Sequence, residues 1–132
     1  MISTKGRYSI RILLDLAEHR GVGYTPIKDV AARQSISLKY VEKLMPALKN
    51  AGLLDSSHGI GGGYRLNRDP EAYTVGSILK LTEGSLAPVA CLEGTPNRCA
   101  RAGRCATLPM WEKLDKMIDD FFEGITLQQL LQ

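Results

Sequence analysis

Apolar residues recur every three or four positions along most of this chain, and the breaks between the runs define six helical segments and one hairpin. In the first segment Ile10, Leu13, Leu14 and Ala17 form a stripe behind a capping Ser3 or Thr4, and Gly21 and Gly23 end it. Ile12 and Leu16 widen that face, which predicts a helix buried on more than one side, as in a dimer contact. A short second helix follows Thr25-Pro26, with Pro26 suited to its first turn and Ile27, Val30 and Ala31 turned inward. A third begins at Ser37 and carries Leu38, Val41, Leu44, Met45 and Leu48 on its inner face. Pro46 is expected to bend it or mark an irregular turn, and Asn50-Ala51-Gly52 ends it.

The period then changes. Leu53 to Ser57 and Tyr64 to Leu66 read as short strands around Gly59-Ile60-Gly61-Gly62-Gly63, a hairpin with a glycine-rich tip. No Lys-Ser/Thr pair and no helix follow this run directly, so it does not read as a nucleotide-phosphate loop. Thr74 caps a fourth helix that ends at Gly84. Residues 87–106 show no period and read as a loop with room for one helical turn. A long amphipathic helix follows from about Pro109 to Glu123, striped by Trp111, Leu114, Ile118, Phe121 and Phe122 with Met110 and Met117 beside them. A last turn begins at Thr126.

Three helices followed by a hairpin, the second and third close together, is the order of a winged helix-turn-helix domain. The predicted fold is therefore mainly α with a small β-hairpin wing, plus a long C-terminal dimerisation helix. The expected organisation is 1–84 for DNA binding, 85–108 for a cysteine-containing sensor loop, and 109–132 for the dimerisation helix and tail. A terminal aromatic stripe in a chain of 132 residues has little of its own domain to cover it, which favours a homodimer.

Charge supports a polyanionic partner. Residues 1–68 hold 11 Lys/Arg against 5 Asp/Glu, whereas residues 69–132 hold 6 against 9. A helix fits the major groove of a duplex, and its N-terminal turn offers amide donors and a positive dipole end to phosphate. Ser37, Lys39, Tyr40, Glu42 and Lys43 are thus candidate contacts from the third helix, with Lys5 and Tyr8 from the first. His58, Gly59, Gly61, Gly62 and Arg65 are candidates from the wing, and Arg68 beyond it can reach phosphate. Glu42 is useful near DNA only if it accepts from a cytosine amino group, and otherwise is a solvent-facing helix residue. His58 is either a contact or a plain turn residue.

All three cysteines fall in the unpatterned stretch, spaced Cys91-x7-Cys99-x5-Cys105. The count is odd and the spacing unlike paired zinc knuckles, so neither a disulfide framework nor a structural zinc site fits. Loosely spaced thiolates on a loop suit a 2Fe–2S cluster. Arg98, Arg101 and Arg104 would offset its charge and lower thiol pKa values. Direct thiol oxidation, nitric oxide sensing or another metal are the competing uses of the same cysteines, in a transcriptional repressor. An enzyme fares poorly, because His19 and His58 are the only histidines and neither joins a catalytic arrangement. An interaction adaptor on the same fold would be exposed by a salt-dependent DNA titration. No apolar run spans a membrane and no leader pattern opens the chain, so a cytoplasmic location without membrane partner or small-molecule substrate is expected.

Three separated motifs in order carry a resemblance: Thr4-Lys5-Gly6-Arg7-Tyr8, Ile36-Ser37-Leu38-Lys39-Tyr40-Val41-Glu42-Lys43-Leu44 and Gly59-Ile60-Gly61-Gly62-Gly63-Tyr64. They closely resemble the Rrf family of bacterial transcription regulators, and most of all its iron–sulfur cluster regulators. The likeness continues through the cysteine loop to Trp111 and to Gly124-Ile125-Thr126-Leu127. The resemblance implies a homodimer on a roughly palindromic double-stranded operator, regulating genes of iron–sulfur cluster biogenesis. It implies that the long helix crosses its copy and that the first helix helps clasp it. It also matches Glu42 to a glutamate that discriminates operator classes, and Cys91, Cys99 and Cys105 to the cluster ligands. His58 stands where a wing arginine is found in the family, and Leu108 where the fourth ligand, a histidine, is found. Leucine cannot ligate iron. Tyr8 lies near the place of an aspartate that another branch supplies from the partner subunit. The fourth ligand stays open among Glu93, Asn97, His58, Tyr8 of the other subunit, a small thiol and water.

Overall fold

A computed structural model describes residues 2–21, 23–94, 96–97 and 99–131. Its elements are α1 (Thr4–Glu18), α2 (Ile27–Gln34), α3 (Leu38–Asn50), β1 (Leu54–Ser57), β2 (Gly63–Leu66), α4 (Val75–Glu83), α5 (Leu108–Glu123) and α6 (Leu127–Leu130). No helix among the described residues is long and apolar enough to cross a membrane.

α1 is the central helix. Ser3 caps it by accepting from the Gly6 amide at 3.1 Å, and its Oγ in turn donates to Glu83 of α4 at 2.7 Å. Ile12, Leu13, Leu16 and Ala17 are buried, and Ile10 and Leu14 pack partly against the same core. The width of its apolar face therefore has a different cause from the one expected. α1 touches α2, α3, α4, β2 and α6 of its own chain, and that packing buries Ile12 and Leu16 without a second copy. On the same helix Asp15 is fully buried, where it accepts from Arg33 at 2.7 and 3.0 Å and from the Gln34 amide at 3.0 Å. A buried carboxylate costs several kcal/mol unless so paired, so this contact pins α2 against α1.

α2 starts one residue later than expected, with Pro26 as its N-cap at φ −63°. It ends at Ser35 in the left-handed region, φ 54°, and buried Ile36 closes the turn into α3. α3 runs unbroken through Pro46, so no irregular turn forms there. The ring is exposed and removes only one hydrogen bond from the solvent side. Leu38, expected inside, is 45% exposed because it sits on the first helical position, ahead of the turn that meets the core.

The hairpin pairs Leu54 with Leu66 and Ser57 with Gly63. Leu54 and Leu66 bury one end of it, and Thr25 adds a third backbone stretch through two 2.9 Å bonds to Tyr64. A Cβ on Gly63 would lie 2.0 Å from the Thr25 carbonyl, so only glycine permits that crossing. Tyr73 is buried, donates to the Leu53 carbonyl at 2.7 Å and accepts from the Asn67 amide at 3.1 Å, and burial pushes its phenol pKa up.

The tail belongs to this core. Leu127 is 0% exposed, its amide donates to the Tyr73 carbonyl at 3.0 Å, and Val75 donates to the Ile125 carbonyl at 2.8 Å. Thr126 and Gln129 form a reciprocal capping box that starts α6. α5, by contrast, has no buried residue. Phe121 and Met117 are 63% and 58% exposed, and Met110 and Leu114 are exposed beside them.

Replacing Leu127 with Ala should lower unfolding free energy by about 2–5 kcal/mol in a denaturant titration. A loss under about 1 kcal/mol would show that the tail is not part of the core.

Candidate nucleic-acid interface and sensor segment

The outward face of α3 and the wing form one surface. The Ser37 hydroxyl accepts from the Tyr40 amide at 3.2 Å, which fixes the helix start and leaves its other first-turn amides facing solvent. Ser37, Lys39, Glu42 and Lys43 are exposed. An open groove of about 500 Å³ between α3 and the wing brings together Glu42, His58 and Gly62, with Lys28, Lys49 and Leu38 along its sides. Lys39 and Lys43, one turn apart, lie outside this groove. Gly59 and Gly61 are exposed at the wing tip.

Other residues named from sequence are placed differently. Tyr8 and Tyr40 are half-buried and stack edge to face, ring centres 5.5 Å apart, with the Arg11 guanidinium 5.1 Å from the Tyr8 ring. This pair joins α1 to the start of α3. Lys5 is exposed one turn earlier on α1. Arg65 alternates away from Tyr64, stands 4.3 Å over the Tyr24 ring and lines a second groove with Arg20, Asp55 and Arg68. Arg68 bonds the Gly52 carbonyl and Asn67, so it ties the strand exit to the end of α3. Two groove residues were not singled out from sequence. Lys49 was legible as lying seven positions, two helical turns, beyond Glu42, whereas Lys28 reaches the groove only because α2 packs beside α3.

The cysteine-bearing segment links α4 to α5. Cys91 is half-buried in a single 3-10 turn, Ala90–Leu92, and Cys99 is exposed, its amide donating to the Asn97 Oδ1 at 2.9 Å. Cys105 is half-buried, and the Thr107 hydroxyl 3.3 Å from its Sγ holds the thiol below its ordinary pKa. All three thiols are free. Among the described residues no three His, Cys, Asp or Glu side chains gather where they could hold a metal ion. Arg98 lies outside the described residues, while Arg101 and Arg104 are exposed. Of the open fourth-ligand candidates, Tyr8 is stacked on Tyr40, His58 lines the wing groove, and the Asn97 oxygen is occupied by Cys99. Leu108 is the first residue of α5.

Beneath the segment, Leu92 and Glu93 share a groove with Lys80 of α4 and Asp115 and Asp119 of α5. Lys80 Nζ lies 2.5 Å from Asp119 and 2.7 Å from Glu123, and Glu123 also accepts from the Thr74 hydroxyl at 2.6 Å. Asp119 and then Glu123 push the Lys80 pKa up, while Lys80 and then Thr74 hold Glu123 low. This clamp fixes α5 against the cap of α4.

A three-helix core with a recognition helix beside a wing defines a winged helix-turn-helix transcription regulator, a DNA-binding protein and not an enzyme. Over residues 2–132 the sequence matches the Rrf2 family, described as an iron-dependent transcriptional regulator, and the chain belongs to that family. It is 38% identical over 132 residues to the HTH-type transcriptional regulator IscR of Aliivibrio salmonicida, covering 98% of this chain and 76% of that protein. IscR of Vibrio cholerae is 37% identical, covering 98% and 74%. Among solved structures, CymR, the global cysteine regulator of B. subtilis, matches with a TM-score of 0.79 at 35% identity, covering 98% of this chain and 95% of that one. T. potens IscR matches with a TM-score of 0.76 at 35% identity, covering 98% and 85%.

Proposed function

We propose that this protein is a cytoplasmic homodimer that binds a double-stranded operator and regulates genes of iron–sulfur cluster biogenesis, with a 2Fe–2S cluster as its sensor. One observation carries the reading: all three thiols lie on the segment that joins the DNA-binding domain to the uncovered helix α5. The resemblance to iron–sulfur regulators and the 37–38% identity to proteins named IscR support it.

Each subunit would present α3 to the major groove and the wing to the adjacent minor groove or backbone. Ser37, Lys39 and Lys43, with Lys5 near the start of α1, supply phosphate-facing donors, and Tyr8 and Tyr40 hold the start of α3 in place. Glu42 offers an acceptor to a cytosine amino group, with His58, Gly59, Gly61 and Gly62 contributing from the wing, while Arg65, turned to the other side of the hairpin, has no part in that groove. A second copy is the occupant of the α5 face. That copy would cover the exposed side chains of Met110, Leu114, Met117 and Phe121.

Cys91, Cys99 and Cys105 fit a 2Fe–2S cluster by donor chemistry, since thiolates are its usual ligands. A bound cluster would supply a fixed link among these three points of the segment. Because the thiols are not gathered in the structure, residues 85–107 must draw together to hold it. Leu92 and Glu93 lie over the Lys80 clamp, so that rearrangement bears on how α5 meets α4. A population shift between two arrangements of the recognition helices would then set operator preference.

The exposure of Cys99, with the Thr107 hydroxyl lowering the Cys105 pKa below its ordinary value, favours a second reading, direct thiol oxidation. The similarity to CymR, of which an oxidised Staphylococcus aureus form is solved, adds to it. Iron and acid-labile sulfide in anaerobically purified protein support the cluster, and their absence supports the thiol reading.

In salt-dependent anisotropy titrations, Lys43→Ala should weaken binding to all duplexes and reduce the log–log salt slope by about one. Glu42→Ala should leave that slope unchanged and relax preference at one base pair by about 1–3 kcal/mol. Unchanged behaviour in both variants would remove α3 from the reading. With leucine in place of a ligand at position 108, the visible absorbance of reconstituted protein should decay in air faster than that of Leu108→His. Equal lifetimes would contradict a weaker fourth ligand.

A further inference from the structure

The wing ends in an apolar side chain. Ile60 is 108% exposed, the most accessible of the exposed large hydrophobic residues. It is not at the end of a loose loop. The Gly62 amide donates to the Gly59 carbonyl at 3.0 Å and closes a tight turn with Ile60 and Gly61 at its two corners. Gly61 takes φ 76°, as the third position of a type II turn requires, and this leaves Ile60 on the outer corner. Both its neighbours are glycines, so no other side chain shields it.

The chemistry of this tip is unusual for a surface that meets a polyanion. Residues 56–63 read Ser-Ser-His-Gly-Ile-Gly-Gly-Gly and contain no Lys or Arg. The tip therefore cannot hold a duplex through phosphate charge, which is how a wing side chain would ordinarily act. It offers bare backbone, one imidazole and one branched aliphatic group. The part of a duplex that accepts an aliphatic group is the edge of the base stack seen from the minor groove, where Ile, Leu, Phe, Met and Pro act as wedges that unstack a step and kink the helix. The position suits that target, because His58 and Gly62 at the base of the tip line the same groove as Glu42 of α3. With α3 in the major groove, the tip extends toward the neighbouring minor groove.

We infer that Ile60 is an apolar wedge that leans on a base step in the minor groove and makes operator choice depend on how easily that step deforms. The inference rests on operator binding through α3 and adds a specificity determinant that makes no hydrogen bond. Flexible pyrimidine–purine steps such as TA open at least cost, and A-tracts resist, so the preferred operator carries a flexible step under each wing.

The test uses the full-length protein and a duplex that it selects from a random pool, so a protein that selects nothing defeats the operator reading itself and not this inference. On the selected duplex, replacing the flexible step under the wing by an A-tract should weaken the unsubstituted protein about tenfold. Ile60→Ala should bind the selected duplex about tenfold more weakly, with the same salt slope, and should no longer distinguish the two duplexes. Ile60→Leu should keep both affinity and discrimination. End-to-end energy transfer across the duplex should report a bend with isoleucine or leucine and a straighter duplex with alanine. An Ile60→Ala protein with unchanged affinity, discrimination and bend would overturn the inference. Because the side chain touches nothing in the fold, thermal melts of all three proteins should coincide.

Discussion

Burial of α5 is the constraint on which the proposed mechanism depends. Sixteen residues of helix carry an aromatic and methionine stripe, and none is buried within the chain. Leaving Met110, Leu114, Met117 and Phe121 in water forgoes roughly 1.5–3 kcal/mol for each side chain that a partner would cover. The helix is nonetheless held at a defined place, because Lys80, Asp119, Glu123 and Thr74 clamp it to α4 and the tail returns through Ile125 and Leu127 into the core. In the proposed homodimer, a rigidly mounted apolar helix would fix the angle at which the second copy docks. That angle would fix the distance between the two recognition helices.

Within one chain, α1 carries this geometry to the DNA-facing side. It meets α4 through Ser3 and Glu83, α2 through Asp15 and Arg33, and α3 through Tyr8 and Tyr40. Each contact is polar or aromatic with a defined geometry, so the helices move as a unit or change by discrete repacking. The cysteine-bearing segment is where the proposed mechanism would start such repacking. Its residues Leu92 and Glu93 share a groove with Lys80 and Asp119 of the clamp, and none of its three thiols is tied up in a disulfide.

The sequence was most informative where one residue decides the local structure. Ser3, Ser37 and Thr74 each mark a helix start that the structure confirms by a capping bond, and the change of period around the glycine run located the hairpin to within a residue. It was least informative where packing between elements decides. The width of the α1 face reads the same whether a second copy or four neighbouring helices cover it, and the neighbours do. Pro46 does not break α3, because its ring faces solvent, and Leu38 is exposed, because the core begins one turn later. The tail, expected to go with the dimer helix, plugs the DNA-binding core through Leu127. Within the candidate site, Glu42 and His58 come together as a helix beside a wing requires. Arg65 points to the other side of the hairpin, which follows from strand alternation once the register is known. The three cysteines were conspicuous by spacing alone, but the conformation of a loop without an apolar period is not written in that spacing.

The most direct test of the account is the sedimentation behaviour of the protein and of Phe121→Glu, measured alongside binding to a selected operator duplex. A dimer is expected for the unsubstituted protein and a folded monomer for the variant, with operator affinity lower by about a hundredfold or more because the two recognition helices are no longer linked. A monomeric parent protein that binds the duplex tightly, or a monomeric variant that binds it equally well, would contradict it.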